Sequence, residues 1–227
     1  MSKLPLAIFL VILLTTTSWA QPLQVKTEVI SHGDDLAQIQ LHLPVIEGIA
    51  DEDLARRVND LLRDPFLAWA EEITALGHET YEEMGAELPW FPYHLEADYE
   101  VKYNDGRYFS LTQLGWAFTG GAHGLPVLSS SNLDLVAGQV LTSPQDLALR
   151  PDHREIILTE INRQIAARPE DYFDPQVDDF QEDAFYLTPE GLVIYYQPYE
   201  IAPYVTGIPQ FSIPWDLLHP LPEDFGS

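Results

Sequence analysis

From Tyr93 onward, the side chains alternate with a period of two. Tyr99, Val101 and Tyr103 fall on one face, Asn104-Asp105-Gly106 follows, and a second run extends from Arg107 to Phe118. Asn-Asp-Gly between two alternating runs is a hairpin signal, because its residues tolerate the positive φ that a tight turn demands. Such a chain must build an antiparallel sheet. The pattern then continues. Thr119-Gly120-Gly121-Ala122-His123-Gly124-Leu125-Pro126 leads into a strand from about Val127 to Leu135, and Ala137-Gly138 turns that strand into Gln139-Val140-Leu141. Further on, "FYLTPEGLVIYY" reads as two short strands joined at Thr188-Pro189-Glu190-Gly191, with proline and glycine where a turn wants them.

Helical patterns lie between these strands. Ala37 to Val45 is a half-buried strand, with Ile39, Leu41 and Leu43 on one side and Gln38, Gln40 and His42 on the other. Asp51 and Asp53 then open a helix carrying Leu54, Val58, Leu61 and Leu62. Asp64-Pro65 interrupts that helix, and the pattern resumes with Phe66, Trp69, Ile73 and Leu76 before stopping at Gly77. The expectation is one kinked helix or two abutting ones, since Asp64 can cap and Pro65 suits a first helical position. Ser143-Pro144-Gln145-Asp146 reads as another helix start. A further helix runs from about Pro151 to Ala167 on the stripe Ile157, Ile161, Ile165, and an acidic, proline-containing loop follows from Glu170 to Asp183. Antiparallel strands with helices set between them predict an α+β fold, an antiparallel sheet with helices packed on it.

The N-terminus predicts export. Lys3, the apolar run Leu4 to Leu14 and the small residues Ser18 and Ala20 are the parts of a secretory signal peptide, residues 1–20. The apolar run is well short of the roughly 20 residues a spanning helix needs, so no stable membrane anchor is expected after cleavage. Without cysteine there are no disulfides and no thiolate metal sites, which suits a bacterial periplasm or cell surface. Asp and Glu number 36 against 11 Lys and Arg, for a net charge of −25. Such a chain repels phosphate backbones, which excludes nucleic-acid binding. The acidity serves solubility, or it attracts a cationic partner over a Debye length of about 8–10 Å.

No residue set announces catalysis. His123 stands in a glycine-rich loop with no Gly-x-Ser-x-Gly elbow and no cysteine nucleophile, so it reads as a structural histidine bonding a nearby carbonyl or carboxylate in a strand corner. His78-Glu79-Thr80-Tyr81-Glu82 has glutamate where a zinc helix needs its second histidine. The acidic loop lacks the glycine and glutamate of an EF-hand, so a solvated loop is expected there. The reading is therefore no catalytic residue, no metal and no cofactor. What remains is Tyr195-Tyr196-Gln197-Pro198-Tyr199-Glu200-Ile201-Ala202-Pro203-Tyr204. Prolines stiffen it and tyrosines offer large area with few rotatable bonds, so it suits recognition or, alternatively, covering the core edge.

"TGGAHG" after a strand, followed about 75 residues later by "PYEIAPY" within "FYLTPEGLVIYYQPYEIAPYVTGIPQFSIPW", resembles the extracellular C-terminal domain of RsiV-type anti-sigma factors. The same domain occurs in PdaC-type peptidoglycan deacetylases and is known as domain of unknown function 3298. The preceding strand and helix resemble its companion, domain of unknown function 4163. The resemblance implies an α+β fold, with a division into residues 21–92 and 93–227. In RsiV-type proteins the module senses lysozyme, and in the deacetylases it accompanies a separate catalytic domain. Sigma-factor signalling and deacetylation are not expected to carry over, since this chain shows no sigma-binding segment, retained transmembrane helix or deacetylase domain. Binding is what the resemblance implies. The partner is a basic, cell-wall-active protein such as lysozyme, or in the alternative cell-wall glycan, bound or weakly hydrolysed. By position, Pro198, Tyr199, Glu200, Pro203 and Tyr204 are the partner-binding candidates, and Gly120, Gly121, His123 and Gly124 form the neighbouring structural motif.

Overall fold

The computed structural model describes residues 21–84 and 92–219; the signal peptide read at residues 1–20 lies outside the described residues. Strands β1 (Gln24–Gly33), β2 (Ala37–Glu47), β3 (Tyr93–Asn104), β4 (Tyr108–Phe118), β5 (Leu125–Asp134) and β6 (Gln139–Leu141) form one sheet in that order. All neighbours are antiparallel except β2 and β3, which run parallel. A parallel pair needs a crossover, and helix α1 (Glu52–Met84) supplies it. Ile39, Leu41 and Leu43 on β2, with Leu95 and Ala97 on β3, meet Phe66, Ala70 and Ile73 of α1 in one apolar cluster. The Asp51 carboxylate caps the helix, accepting from the backbone of Asp53 and Leu54 at 2.9 and 3.0 Å. These bonds, Leu54's above all, hold its carboxyl below the usual range.

The two segments expected around Pro65 form one helix, and the stop expected at Gly77 is corrected, because the helix runs on to Met84. Proline removes the donor to the carbonyl of Leu61, and the adjacent Leu62 carbonyl accepts from the buried Gln113 Nε2 at 3.0 Å. A side chain of β4 thus holds the backbone beside the proline. Gly77 is not a stop signal but a point of close approach: a β-carbon there would lie 2.8 Å from the Leu36 carbonyl oxygen. His78, on the continuing helix, bonds Asp34 at 2.9 Å.

The opposite face of β4 and β5 carries a second, smaller sheet of β7 (Phe185–Leu187), β8 (Gly191–Tyr195) and β9 (Gln210–Pro214). The two sheets are joined by buried polar groups. Ser110 donates to Asn132 Oδ1 at 2.6 Å and accepts from the backbone of Leu187 at 2.9 Å. Asn132 and Ser130 both donate to the carbonyl of Phe185, at 2.8 and 2.6 Å. Every polar group in this ladder has a partner, which makes burial tolerable. On the far side of the small sheet lies α2 (His153–Ala166). Its stripe Ile157, Ile161 and Ile165 is fully buried against Phe185, Leu192, Ile194, Phe211 and Ile213. A short α3 (Trp215–Leu218) follows β9. The result is a mostly antiparallel α+β fold with one long helix on each of two sheets.

Four further differences have local causes. β1 lacks an alternating signature because none of its residues is buried: it is an edge strand. A register shift between Val101 and Tyr103 places Tyr103 opposite Ser110, so it joins the α2-side core instead of sharing a face with Val101. Ser143-Pro144-Gln145-Asp146 is one 3-10 turn closed by a capping box, and no long helix begins there. The acidic loop is tied down: Arg154 of α2 pairs with Asp179 and Glu182, Asn162 brackets the backbone of Val177 at 2.8 and 2.9 Å, and Phe180 is buried in the core.

Candidate functional site

The glycine-rich loop and the tyrosine-proline segment, distant in sequence, meet in one corner at the ends of β4 and β5. Gly120 and Gly121 have φ of +94° and +90° with open space beside them, so their backbone angles call for glycine. Gly124 is needed for room, because a β-carbon there would lie 2.3 Å from the Trp116 indole. The carbonyl of the buried Gly124 accepts two bonds, from Tyr204 Oη and from His123 Nδ1, each at 2.9 Å. That assigns the His123 proton to Nδ1, and Tyr199 Oη donates to the free Nε2 at 3.4 Å. The His123 ring lies 3.8 Å from that of Tyr204 at an angle of 20°, and the Tyr199 and Tyr204 rings are 5.9 Å apart. The corner is a three-ring cluster at the surface.

The segment is held stiffly. Tyr196 is buried, donates to the Asp179 carbonyl at 2.8 Å, and has its hydroxyl pushed well up by burial and by the carboxylates of Glu200 and Asp179. Gln197 uses its side-chain amide as a strand would use a peptide, donating to Leu128 O at 2.7 Å and accepting from Leu128 N at 3.1 Å. Gln197, Pro198, Tyr199 and Glu200 then make a turn closed by Glu200 N to Gln197 O at 3.1 Å. Proline at its second position and positive φ at its third fit a type II turn. Tyr199, at φ +68°, is the one non-glycine residue with positive φ among the described residues, and 51% of it is exposed. A side chain there costs about 1–2 kcal/mol relative to glycine.

The sequence-derived candidates take different places. Tyr199 and Tyr204 present rings at the corner. Glu200 is exposed, but its carboxylate accepts from Gln197 N at 2.8 Å and from Gln181 Nε2 at 3.1 Å, bracing the turn. Pro198 and Pro203 are half-buried, and Pro203 precedes the 3-10 turn Tyr204–Thr206. Gln197 and Trp116 are the residues sequence reasoning missed. Nothing marked Gln197 within "YYQPYE", and Trp116 is one of several aromatics in a strand. Among the described residues no group of three or more His, Asp or Glu converges as a metal cage would, and none is long and apolar enough as a helix to cross a membrane. His123→Ala should lower stability by about 1 kcal/mol, since the bond to the Gly124 carbonyl, the long bond from Tyr199 and one ring stack are lost. Thermal melting run beside a binding assay checks this; lost binding at an unchanged Tm would assign the histidine to recognition instead.

Comparison with family models matches residues 146–216 to "Protein of unknown function (DUF3298)" and residues 30–126 to "Deacetylase PdaC". The second match falls where the sequence suggested domain of unknown function 4163, and it extends past position 92. Among solved structures, a member of the DUF3298 family from Bacteroides fragilis NCTC 9343 superposes with a TM-score of 0.67 at 18% identity, over 88% of this chain and 95% of that one. A DUF3298 family protein from Pseudomonas aeruginosa PAO1 gives a TM-score of 0.62 at 18% identity, over 89% and 97%. At that identity the likeness establishes the fold. No curated protein matches.

Proposed function

We propose, from the match of residues 146–216 to the DUF3298 model, that the chain is an exported, non-catalytic binding module of the periplasm or cell surface. Its recognition element is the corner formed by Tyr199 and Tyr204, with Pro198, Glu200 and Pro203 fixing the backbone. The observation that carries this reading is the strained, exposed Tyr199 in a turn position where glycine would be easier. Strain retained at an exposed aromatic favours a role outside folding. Two braces, the Gln197–Leu128 pairing and the Glu200 carboxylate, order the loop before any partner arrives, which lowers the entropy lost on association.

The partner we propose is a cationic cell-wall-active protein such as lysozyme, supported by the sequence resemblance and the net charge of −25. Retention of lysozyme by the immobilised mature protein, at low and at high salt, tests it. Binding that weakens with salt but persists is expected, because the rings contribute where screening does not reach. Absence of binding at every salt concentration removes lysozyme as the partner. Equal retention of any basic protein reduces the effect to bulk charge.

The match of residues 30–126 to the PdaC model favours one second reading, a cell-wall glycan as ligand, with sugar rings stacking on Tyr199. Co-sedimentation with purified peptidoglycan, without lysozyme, separates it from the first. Release of soluble fragments would show an enzyme.

A further inference from the structure

We infer that a trough across the face of the large sheet that the described residues leave uncovered receives an extended, cationic segment of the partner, with lysine or arginine at alternate positions. The inference rests on the reading of the protein as a binder of a cationic partner, but it concerns a different surface from the tyrosine corner. Leu95 and Ala97 of β3 face α1, so Glu96 and Asp98 project from the other side, as does Glu100. On this side the small sheet covers Ser110, Asn132 and, farther along β5, Leu128. Beyond it, two adjoining depressions of about 300 and 220 Å³ share Asp98 and Leu114 and run from Gln210 to His42.

The chemistry of the trough is paired row against row. Glu96 lies opposite Trp116 on β4, Asp98 opposite Leu114 and Glu100 opposite Thr112. Leu114 is 45% exposed although it is apolar. Carboxylates on alternate residues of one strand stand about 7 Å apart, the same repeat as alternate side chains of an extended ligand. Each ligand cation would therefore reach one carboxylate while its aliphatic stem covers the neighbouring apolar surface. At the Glu96 position the indole adds cation–π attraction. Inside the protein the row is only partly neutralised: Lys102 pairs with Glu100, His42 Nδ1 is 3.7 Å from Asp98, and no cation stands against Glu96 among the described residues. Trp116 joins this trough to the corner, because its ring packs over Gly124 next to His123. One partner can span both.

Two octapeptides of equal composition test the inference by calorimetry on the mature protein at physiological salt. One alternates lysine with threonine, and the other has four lysines followed by four threonines. The alternating peptide is expected to bind about tenfold tighter, and Glu96→Gln and Asp98→Asn should each weaken it about fivefold. Both side chains are exposed, so neither change should shift the melting temperature. Equal affinity for the two peptides, or wild-type affinity in both variants, would overturn the trough. So would a peptide that loses its affinity in the Tyr199→Ala/Tyr204→Ala protein and not in the carboxylate variants. Peptide binding through Glu96 and Asp98 by a protein that ignores lysozyme would leave the trough standing and remove lysozyme alone.

Discussion

Phe185→Ala is expected to destabilise the protein by about 3–5 kcal/mol, the range for truncating a fully buried aromatic. The ring is inaccessible to solvent and sits where β7 meets α2, among Ile157, Ile161 and Ile194. Its described neighbours are held in regular elements, which limits collapse into the space. Ile157, Ile161 and Ile165 are fixed on a helix whose following loop is bonded back through Arg154 and Asn162. The Phe185 carbonyl still accepts from Ser130 and Asn132, so the attachment between sheets survives and the loss reports the cavity. Urea titrations followed by near- and far-UV circular dichroism measure it. Because that polar ladder couples the sheets, both probes should give one transition, in wild type and variant alike. A loss under about 1.5 kcal/mol would mean the α2 core is looser than drawn, and two separated transitions would mean the sheets unfold independently. Phe173, 56% exposed, is the control, and its change to alanine should fall within about 0.5 kcal/mol of wild type.

The parts of this fold that were legible in the sequence are those where one side of an element faces water. β2 alternates because Ile39, Leu41 and Leu43 are covered and Gln38 and Gln40 are not; α2 shows its stripe for the same reason. The hairpin turn was legible because Asp105 caps it locally, accepting from Arg107 and Tyr108 at 2.8 and 2.7 Å, with Gly106 at φ +89°. What stayed hidden depends on the other side of a contact. Gly77 looked like a terminator because the Leu36 carbonyl it accommodates is 41 residues away. Tyr103 looked aligned with Val101 because a bulge leaves no period of its own in the sequence. β1 buries no residue fully, and of its apolar residues only Val25 and Ile30 in part, and so writes a faint pattern. At the candidate site, the histidine loop and the tyrosine segment were each visible, but their meeting was not. It follows from the small sheet docking on β5, with Gln197 clamped to Leu128. Pro198 marks a turn; it does not disclose that a tyrosine occupies the position where glycine is favoured.

The Tyr199→Ala/Tyr204→Ala protein should lose partner binding by far more than it loses stability. An aromatic anchor at the centre of an interface commonly contributes about 2 kcal/mol or more, roughly thirtyfold in affinity, and two together approach a thousandfold where their effects add. The stability cost divides unequally. Tyr199 is half exposed and leaves no cavity, and alanine inherits the same positive φ, so its own change should be small. Tyr204 gives up a hydrogen bond to the Gly124 carbonyl and the stack on His123, which puts the double variant about 1–2 kcal/mol below wild type. Had both rings been core, about 3–5 kcal/mol each would be lost and the chain would melt early. Tyr199→Gly separates strain from recognition. Removing the side chain also relieves the backbone, so this variant should be as stable as wild type or more so, and still bind weakly. Melting curves and titration of the folded protein with its partner give both numbers. Wild-type affinity in the folded double variant would leave the aromatic corner without a role in binding.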